Sequence, residues 1–486
     1  MRPAAPGCLW ITASITASIT ASIAASIACL TSCGMPAPKP PLAPLDPRDL
    51  PANIDRIAGE VLADTGVPSA SVAAVSDGKI VYVHAYGNAR LDPPTPAAPG
   101  MRYGIGSISK QLTAAAVLLL AQDGKLTLDD PVGKYVPNLT RGDVITIRQI
   151  LSHTSGYPDY APQDYIVPEW ERPVSPDALL DRWARKTLEF EPGTKWQYSN
   201  TNFVIAGLIV EKVAGVPLVD FLTERVFKPL GMASVTNTDR QKLGDHDAQG
   251  YFRRALGPLH PAPHEEPGWM YAAGELAMTA EDLAKWDAAV IQQAILAPES
   301  WRQLETEVVL ASGAGTRYGL GVSVGLTQGH RELGHGGEVS GFVASNLVWP
   351  DDKLAVAVLT NQDASGAASE IATRVRDALF RAISPASVES DRRVKQVLAE
   401  LADKKLDKTR LTANLASYFT DEAIAEFADT LRPLGALDAV EQLSSGKRGG
   451  MTFRRYKAKY GDKAMSISVY ETDDGKLEQF LLSKPE

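Results

Sequence analysis

The stretch from Leu112 to Ala121 is apolar at every position except Thr113. A helix that is apolar all round is buried on every side, so the rest of the chain has to fold around this segment. Ser107 and Lys110 stand just before it, although burying an unpaired ammonium group costs much free energy. A lysine in this place needs a chemical explanation.

The spacing of Ser107 and Lys110 supplies one. Residues at i and i+3 share one face of a helix, so the lysine amine can reach the serine hydroxyl. At a helix N-terminus, free backbone N–H groups and the helix dipole favour an oxyanion. Desolvation favours the neutral amine, which can then take the serine proton. Lys110 is therefore a candidate general base for Ser107, and the alternative is a lysine that snorkels to the surface.

Two other Ser-x-x-Lys sequences lack this context. Ser76 to Lys79 and Ser444 to Lys447 are predicted to lie on turns, where neither a helix dipole nor a buried base is available. Ser-x-x-Lys alone is thus weak support for a nucleophile.

A second motif, Tyr198-Ser199-Asn200, lies in "EPGTKWQYSNTNF". A phenol with a lowered pKa can relay a proton, and the Asn200 amide can hold a substrate carbonyl. The alternative is a structural tyrosine whose hydroxyl has an ordinary hydrogen-bond partner.

A third motif, His335-Gly336-Gly337, lies on a strand pattern. Glycines there let another backbone, or a substrate, approach closely along the strand. A lone histidine in a strand is more often structural, and this is the alternative for His335.

Strand patterns occur at both ends of residues 54–381 and flank a helical middle. "SASVAAVS" and "KIVYVHAYG" come first, joined by Asp77-Gly78, which is a hairpin signal. "YGLGVSVGL", "HGGEVSGFVASNLVW" and "KLAVAVLTNQ" come last. Helices are predicted over residues 54–65 and 367–381. The pattern indicates one sheet assembled from both ends of this region.

Residues 391–486 are predicted to form a small α+β domain of unknown role. Helices are expected near residues 394–402, 411–419 and 422–431, and three strands follow in "MTFRRYKAKY", "KAMSISVYE" and "KLEQFLLS". The outline faintly resembles the nuclear-transport-factor-2-like cone. No catalytic constellation is found in this part of the sequence.

The first 34 residues carry Arg2 as their only charge. Residues 1–33 have the form of a secretory signal, and the final Leu30-Thr31-Ser32-Cys33 resembles a bacterial lipobox, whose cysteine is lipidated. Residues 34–50 are proline-rich and predict an extended tether before the main domain, residues 51–383. We expect an exported lipoprotein, anchored to a membrane in the periplasm or outer membrane of a bacterium. A plain secretory peptide and an uncleaved anchor are the alternatives.

Charge and metal-binding patterns exclude two classes of function. The formal net charge of -9 argues against a nucleic-acid partner, which needs a basic surface. None of the seven histidines forms a His-Glu-x-x-His zinc motif. The three cysteines, Cys8, Cys29 and Cys33, all lie in the signal segment, so no disulfide is expected after it.

Taken in this order, the three motifs resemble the serine β-lactamase and penicillin-binding-protein superfamily. The most similar branch contains class C β-lactamases, D-alanyl-D-alanine carboxypeptidases, D-aminopeptidases and related esterases, and "LSHTSGYPDY" and "AAGELAMTAEDLAKW" also look like its segments. The resemblance covers about residues 54–381. It implies an α/β (α+β) fold of the β-lactamase/transpeptidase type. In this fold, helices flank an antiparallel sheet, and the chain also has an all-helical insert.

The resemblance also implies an acyl-enzyme mechanism without a metal or organic cofactor. Ser107 matches the nucleophile and Lys110 its base. Tyr198 matches the residue that assists proton transfer to the leaving group and from the deacylating water. The backbone N–H groups of Ser107 and Glu338 match the oxyanion hole. The substrate-binding residues that it implies are Asn200, Gly336, Gly337 and Glu338.

His335 departs from the superfamily pattern, which has Lys-Thr-Gly where this chain has His-Gly-Gly. A permanent cation that would bind a substrate carboxylate is replaced at the catalytic site by a histidine expected to titrate near pH 6.5. The exchange favours small esters or D-amino-acid amides as substrates. A β-lactamase or carboxypeptidase is the alternative enzyme, and a non-catalytic binding or scaffold protein of the same fold is the alternative class.

Overall fold

The computed structural model describes residues 49–163, 166–383 and 385–484 of the chain. The predicted signal segment with Cys33, and the predicted tether up to residue 48, lie outside the described residues, so both stay predictions. The first described helix begins at Leu50, and the Asp49 side chain before it accepts a hydrogen bond from Ala52 N at 3.3 Å. An aspartate is a favoured N-cap because its oxygen satisfies a free N–H group of the first turn.

The helices and strands have the following bounds. In chain order the strands are β1 (Ser69–Ser76), β2 (Lys79–Leu91), β3 (Pro94–Pro96), β4 (Tyr103–Gly104), β5 (Thr236–Asn237), β6 (Tyr251–Arg253), β7 (Leu259–Pro261), β8 (Leu276–Met278), β9 (Ser323–Thr327), β10 (His330–Val339), β11 (Phe342–Trp349), β12 (Leu354–Thr360), β13 (Ala439–Arg448), β14 (Met451–Tyr460), β15 (Lys463–Glu471) and β16 (Leu477–Ser483). The α-helices are α1 (Leu50–Thr65), α2 (Ser109–Gln122), α3 (Ile147–Leu151), α4 (Pro176–Leu179), α5 (Thr201–Ala214), α6 (Leu218–Leu222), α7 (Lys228–Leu230), α8 (Ala280–Gln292), α9 (Pro298–Glu305), α10 (Ala367–Ile383), α11 (Pro385–Ala402), α12 (Ala413–Tyr418) and α13 (Asp421–Leu431).

Seven of these strands form one antiparallel sheet. Their order is β3-β2-β1-β12-β11-β10-β9. Strands from the start and the end of the main domain meet where β1 pairs with β12, with Ala70 opposite Thr360. The prediction of one sheet assembled from both ends of this region is therefore confirmed.

Helices cover both faces of the sheet. Val72 and Val358 face the side covered by α1 and α10, while Ala73 and Ala357 face the opposite side, where α8 packs. Because both faces are buried, β1 and β12 are continuous apolar runs without polar alternation.

Helix α2 lies at the centre of the larger cluster of buried apolar residues. Every residue from Ser109 to Leu120 is buried, as the sequence pattern predicted. Helices α5, α6 and α9 pack around it. Complete burial forces the polar side chains of Lys110 and Gln111 to find partners inside the protein.

Gln111 joins a buried polar network that links α2 to the sheet and to α8. Its Nε2 donates to Asn346 Oδ1 on β11 at 3.1 Å, and its Oε1 accepts from Trp286 Nε1 on α8 at 2.9 Å. Asn346 Nδ2 donates in turn to Asp287 Oδ1 at 2.7 Å. Burial raises the pKa of Asp287 to about 8, and its Oδ2 has no partner among the described residues. The Asp287 carboxyl group is therefore protonated at neutral pH.

The segment between β4 and β8 is mainly helical, as the resemblance implied. Helices α2 to α7 lie in it, together with the short hairpin β6-β7 and with β5, which pairs with β8. Across the part of the chain that the structure describes, no single helix has the length and hydropathy of a membrane span. One bent pair, Thr201–Ala214 with Leu218–Leu230 at 71°, meets the length and composition criteria together.

Residues 385–484 add a second sheet with its own helices. Helices α11 to α13 pack on the sheet β13-β14-β15-β16 around a separate apolar core that includes Phe419 and Tyr456. Four strands are observed where three were predicted. Strand β13 was not predicted because it carries serine and glycine in place of an apolar alternation. Helix α11 begins at Pro385, so the predicted domain boundary at residue 391 falls inside a helix.

The two Ser-x-x-Lys sequences outside α2 differ from each other. Ser76 ends β1 and Lys79 begins β2, so the predicted hairpin turn between them is confirmed. The prediction that Ser444 to Lys447 lie on a turn is wrong, because these residues pair with β14 as part of β13. These residues adopt a strand because they pair with β14, although their own sequence does not favour one.

Replacing Asp287 with asparagine tests the buried carboxyl group. In the native protein this acid keeps its proton up to about pH 8, whereas in the unfolded chain it loses the proton near pH 4. The free energy of unfolding therefore falls as pH rises through this window, by about 1.4 kcal/mol per pH unit for one proton. Asp287→Asn should remove this contribution, measured by chemical denaturation between pH 5 and 7.5.

The exposed Asp64 provides the matched control, because Asp64→Asn makes the same chemical change at the surface. This control protein should keep the pH dependence of the wild-type protein. An Asp287→Asn protein that also keeps it would contradict a protonated Asp287.

Candidate active site

Ser107 lies in a tight turn just before α2. Residues Gly106–Ile108 form a 3₁₀ turn that continues into α2 at Ser109. Gly106 has a φ of +51°, and a Cβ atom there would lie 2.5 Å from Glu338 N. Only glycine fits, so the backbone of β10 lies directly beside the turn that carries Ser107.

The glycines of β10 confirm the predicted close approach of another backbone. A Cβ atom on Gly337 would lie 1.9 Å from Ile105 O, so the strand and the turn meet backbone to backbone. A Cβ atom on Gly336 would have Ala344 O, at 3.9 Å, as its nearest neighbour. Gly337 is thus closed against the turn, whereas Gly336 has room for a Cβ atom. The contact also brings the Glu338 backbone next to Ser107, as the resemblance implied for an oxyanion hole.

The Lys110 amine is fully buried and makes three contacts of 2.8 Å. Its Nζ lies at this distance from Ser107 Oγ, Asn200 Oδ1 and Ala273 O. Burial lowers the pKa of Lys110 to about 7, while the Asp159 carboxylate works against this shift. The prediction of a desolvated lysine at the head of α2 is confirmed.

The three contacts of Lys110 define the direction of each hydrogen bond when the amine is neutral. A neutral amine has two N–H groups and one lone pair. The oxygens of Asn200 and Ala273 only accept, so they take the two N–H groups. The lone pair is left for Ser107, whose hydroxyl then donates to Lys110 Nζ.

Asp159 orients Asn200 and was not identified from the sequence. Its Oδ1 accepts from Asn200 N at 2.9 Å and from Asn200 Nδ2 at 3.2 Å. The side-chain amide is thereby turned so that its oxygen faces Lys110. Asp159 stands in "LSHTSGYPDY", but nothing in that stretch indicates a partner 41 residues further along the chain.

Tyr198 reaches Ser107 from the loop before α5. Its hydroxyl donates to Ser107 Oγ at 2.8 Å, so the serine oxygen lies between the tyrosine and Lys110. The expectation of a lowered pKa for this phenol is wrong, because burial raises its pKa despite the hydrogen bond to Ser107. Tyr198 is a proton-bearing hydroxyl at neutral pH.

His335 on β10 is a neutral imidazole. Its Nδ1 lies 2.5 Å from Gly336 O, and its Nε2 lies 2.9 Å from the Tyr318 hydroxyl. Because a carbonyl only accepts, the proton is on Nδ1 and Tyr318 donates to Nε2. Desolvation, with Lys110 nearby, lowers the pKa of His335 to about 4, so the expected titration near pH 6.5 is wrong. Tyr318 is a second site residue that the sequence did not reveal.

One cavity of about 670 Å³ brings the predicted residues together. Its wall includes Ser107, Tyr198, Asn200, His335, Gly336, Gly337 and Glu338. Lys110 lies behind this wall in contact with Ser107. Apart from Cys33, which is outside the described residues, every residue predicted for the site is therefore found in one place, and their catalytic roles stay predictions.

The charged side chains on the cavity wall are acidic as far as the described residues show. No lysine or arginine lines it, and the acidic residues that do are Asp159, Glu265, Glu338 and Asp363. Glu265 Oε1 accepts from Ser340 N at 2.7 Å, which holds this carboxylate at the turn between β10 and β11. A wall with this charge favours neutral or cationic ligands over carboxylates.

Two other hydrolase patterns have no matching geometry in the described residues. No group of three or more His, Cys, Asp or Glu side chains there has an arrangement that could hold a metal ion. A Gly-x-Ser-x-Gly sequence, the pattern of the α/β-hydrolase elbow, does occur at residues 321–325. Its Ser323 is exposed and opens the edge strand β9, so it does not lie on a strand-to-helix turn.

Comparison with known proteins identifies the family. The family model described as Beta-lactamase matches residues 54–380, most of the chain. The sheet flanked by helices agrees with that fold, and a separate C-terminal sheet follows the matched region. The chain therefore belongs to the β-lactamase family.

Three proteins illustrate this relationship. The chain is 28% identical over 322 residues to a penicillin-binding protein of Bacillus subtilis, covering 63% of this chain and 70% of that protein. It is 29% identical over 325 residues to protein flp of Staphylococcus aureus, covering 64% of this chain and 63% of that protein. The chain thus spans about two thirds of the length of these relatives. A crystal structure of a D-stereospecific amidohydrolase from Streptomyces sp. is 28% identical, with a TM-score of 0.58, and covers 68% of this chain and 98% of that one.

The protonation of Lys110 should control the reactivity of Ser107. The rate of reaction with a fluorophosphonate should rise with pH through about 7, as Lys110 loses its proton. Asp159→Asn removes the negative charge that raises the pKa of Lys110 but keeps an oxygen for Asn200. The midpoint should therefore move to lower pH, measured from second-order rate constants between pH 5 and 9.

Asp64→Asn serves again as a control, because Asp64 is exposed and remote in sequence from every site residue. It should leave the midpoint where the wild-type protein has it. A midpoint that moves upward or stays in place in the Asp159→Asn protein would contradict the role given to Asp159.

Proposed function

We propose that this chain is a serine hydrolase that forms an acyl-enzyme on Ser107 and acts on small esters or D-amino-acid amides. The observation that carries the proposal is the position of Ser107 Oγ, 2.8 Å from both Lys110 Nζ and the Tyr198 hydroxyl. One neighbour accepts the serine proton and the other donates to the serine oxygen. Acyl transfer needs a nucleophile with a base and a proton donor in reach.

In acylation, Lys110 Nζ takes the Ser107 proton and Ser107 Oγ bonds to the carbonyl carbon of the substrate. The carbonyl oxygen becomes an oxyanion, which the backbone N–H groups of Ser107 and Glu338 stabilise. The bond from this carbon to the leaving oxygen or nitrogen then breaks. Tyr198 gives its proton to the leaving group and takes one back from Lys110, so both side chains return to their starting state.

In deacylation, water attacks the acyl carbon and passes a proton through Tyr198 to Lys110. The bond between the carbon and Ser107 Oγ breaks, and the serine oxygen takes its proton back from Lys110. A carboxylic acid leaves, and the site is as it was before the reaction. The raised pKa of Tyr198 supports a relay by the hydroxyl and not by a phenolate.

The charge of the cavity supports the proposed substrates. A D-amino-acid amide carries an ammonium group at neutral pH, which the carboxylates of Glu265 and Asp363 attract. Burial raises the pKa of both acids, and a bound ammonium group would favour their charged forms again. A β-lactam or a D-alanyl-D-alanine peptide brings a carboxylate, which would meet these groups and a neutral His335 in place of a fixed cation. The likeness to a D-stereospecific amidohydrolase adds support for an amide substrate.

Covalent labelling tests the nucleophile directly. A fluorophosphonate probe should modify Ser107 alone, read by peptide mass spectrometry. Ser107→Ala should abolish labelling and ester turnover without changing the unfolding temperature. Lys110→Met, which keeps the volume but removes the base, should lower the labelling rate by about 100-fold or more.

Ser444 provides the matched control, because it also precedes a lysine by three residues but lies on β13. The Ser444→Ala protein should react with the fluorophosphonate and hydrolyse the ester at the rates of the wild-type protein. A label on Ser444 or Ser76 would contradict the proposal. A labelled protein that hydrolyses no acyl substrate would contradict it as well.

Substrate preference tests the charge argument. The value of kcat/KM for p-nitrophenyl butyrate should exceed that for a chromogenic cephalosporin on the same preparation, because only the cephalosporin brings a carboxylate. Glu265→Gln keeps an oxygen for Ser340 N but removes the charge. It should lower the ratio of kcat/KM for D-alanine p-nitroanilide to that for its N-acetylated form, since only the first carries an ammonium group.

Two results would overturn this reading of the cavity. One is a kcat/KM for the cephalosporin that exceeds the value for p-nitrophenyl butyrate by tenfold or more. This difference is about 1.4 kcal/mol in transition-state binding and would favour the β-lactamase alternative. The other is a Glu265→Gln protein whose ratio between the two anilides does not change.

A further inference from the structure

His153 lies beside the proposed site although the mechanism gives it no role. It follows α3, is fully buried, and has a φ of +58°. This left-handed conformation is uncommon for a residue with a Cβ atom, and the surrounding contacts have to maintain it. Those contacts converge on the segment that carries Tyr198.

His153 holds the chain on both sides of Tyr198. Its backbone oxygen accepts from Gln197 N at 3.0 Å, and its ring Nδ1 accepts from Ser199 N at 3.2 Å. Its ring also packs on the Tyr198 ring, with 4.3 Å between the centroids and 35° between the planes. One residue thus contacts both sequence neighbours of Tyr198 and the phenol ring itself.

A second donor to the ring defines its tautomer. Asn202 Oδ1 accepts from Ser155 Oγ at 2.6 Å, which turns Asn202 Nδ2 towards His153 Nδ1 at 3.3 Å. With two N–H groups facing it, Nδ1 has to present its lone pair, so the proton is on Nε2. Nε2 has no hydrogen-bond partner in the described part of the chain, and the rings of Phe203 and Tyr318 pack around the imidazole.

A charged His153 would break this arrangement. A second proton would be on Nδ1, which now accepts from two N–H groups. This proton would face both N–H groups and be repelled by them. Burial also lowers the pKa of His153 well below its ordinary value, and Lys110 and His335 add to the effect. The contacts to the Tyr198 segment therefore require a neutral ring with its proton on Nε2, the opposite tautomer to His335.

We propose that His153 is a positioning residue that holds the Tyr198 hydroxyl against Ser107. The proposal rests on the function given above to Ser107 and Tyr198. His153 is not on the described cavity wall, so it acts through Tyr198 and not on a substrate. Tyr198 lies outside any helix or strand, and the contacts of His153 replace the support that a regular element would give.

Three variants test the contacts of His153. His153→Ala should lower kcat for D-alanine p-nitroanilide by about 10- to 100-fold, with KM within about threefold, because proton transfer is misaligned while the cavity remains. His153→Asn should recover part of this loss, since asparagine tolerates a left-handed backbone and its oxygen can accept from Ser199 N. His84→Asn, the same change on the exposed side of β2, should match the wild-type protein.

A double-mutant cycle separates positioning from a general structural effect. In the Tyr198→Phe protein the hydroxyl is already absent, so adding His153→Ala should lower kcat by less than about threefold. An equal loss in both backgrounds overturns the proposal, and so does a His153→Ala protein with the kcat of the wild type.

Nitrogen-15 NMR of histidine-labelled protein tests the ring without turnover. Between pH 5 and 8, His153 should give a neutral ring protonated at Nε2 and His335 a neutral ring protonated at Nδ1, and His153→Asn should remove the first signal. If no ester or amide is hydrolysed, the proposed function fails, and this measurement still decides whether His153 makes the contacts described. A His153 ring protonated at Nδ1, or one that becomes charged above pH 6, overturns the proposal.

Discussion

The burial of one amine, Lys110 Nζ, is the constraint on which the rest of the structure depends. Its three partners belong to the turn before α2, the loop before α5 and the segment before β8, so distant parts of the chain must meet at one atom. No carboxylate touches the amine directly in the described structure, and the neutral form is therefore far easier to bury than the ammonium. The protonation state that burial favours is therefore also the one that the proposed function needs, in which Lys110 accepts the Ser107 proton.

Other buried groups near this centre follow the same rule. His153 and His335 are neutral in opposite tautomers, and Asp287 on α8 keeps its proton. Among the described residues, each of these groups makes at least one hydrogen bond to a fixed partner and none has a counter-ion, although His153 Nε2 and Asp287 Oδ2 have no hydrogen-bond partner. In the proposed reaction, the Ser107 oxygen is thus surrounded mainly by oriented hydrogen-bonding groups, which need little reorientation when a charge develops on the substrate.

Patterns confined to a short stretch predicted most of the fold and the core of the site. The all-round apolar run identified α2 with its buried lysine, and the glycines of β10 predicted the backbone contact at Gly337. Asp159, Tyr318 and His153 were missed as site residues, because each acts on a partner between 17 and 46 residues away in the chain. The pKa of Tyr198 was predicted in the wrong direction, since burial belongs to the folded environment and not to the motif. Strand β13 was missed for a related reason, because its pairing with β14, and not its own sequence pattern, makes it a strand.

The adjacent glycines of β10 give the cavity one adjustable position next to one that cannot change. A methyl group on residue 337 would collide with Ile105 O, so that position admits no side chain of any size. A Cβ atom on residue 336 would have Ala344 O, at 3.9 Å, as its nearest neighbour, and this residue lines the same cavity as Ser107. Substitutions at residue 336 can therefore change the shape of the cavity while leaving the backbone contact at Gly337 in place. A randomised library at this codon would vary the cavity wall, whereas any substitution at the next codon would force β10 away from the turn that carries Ser107.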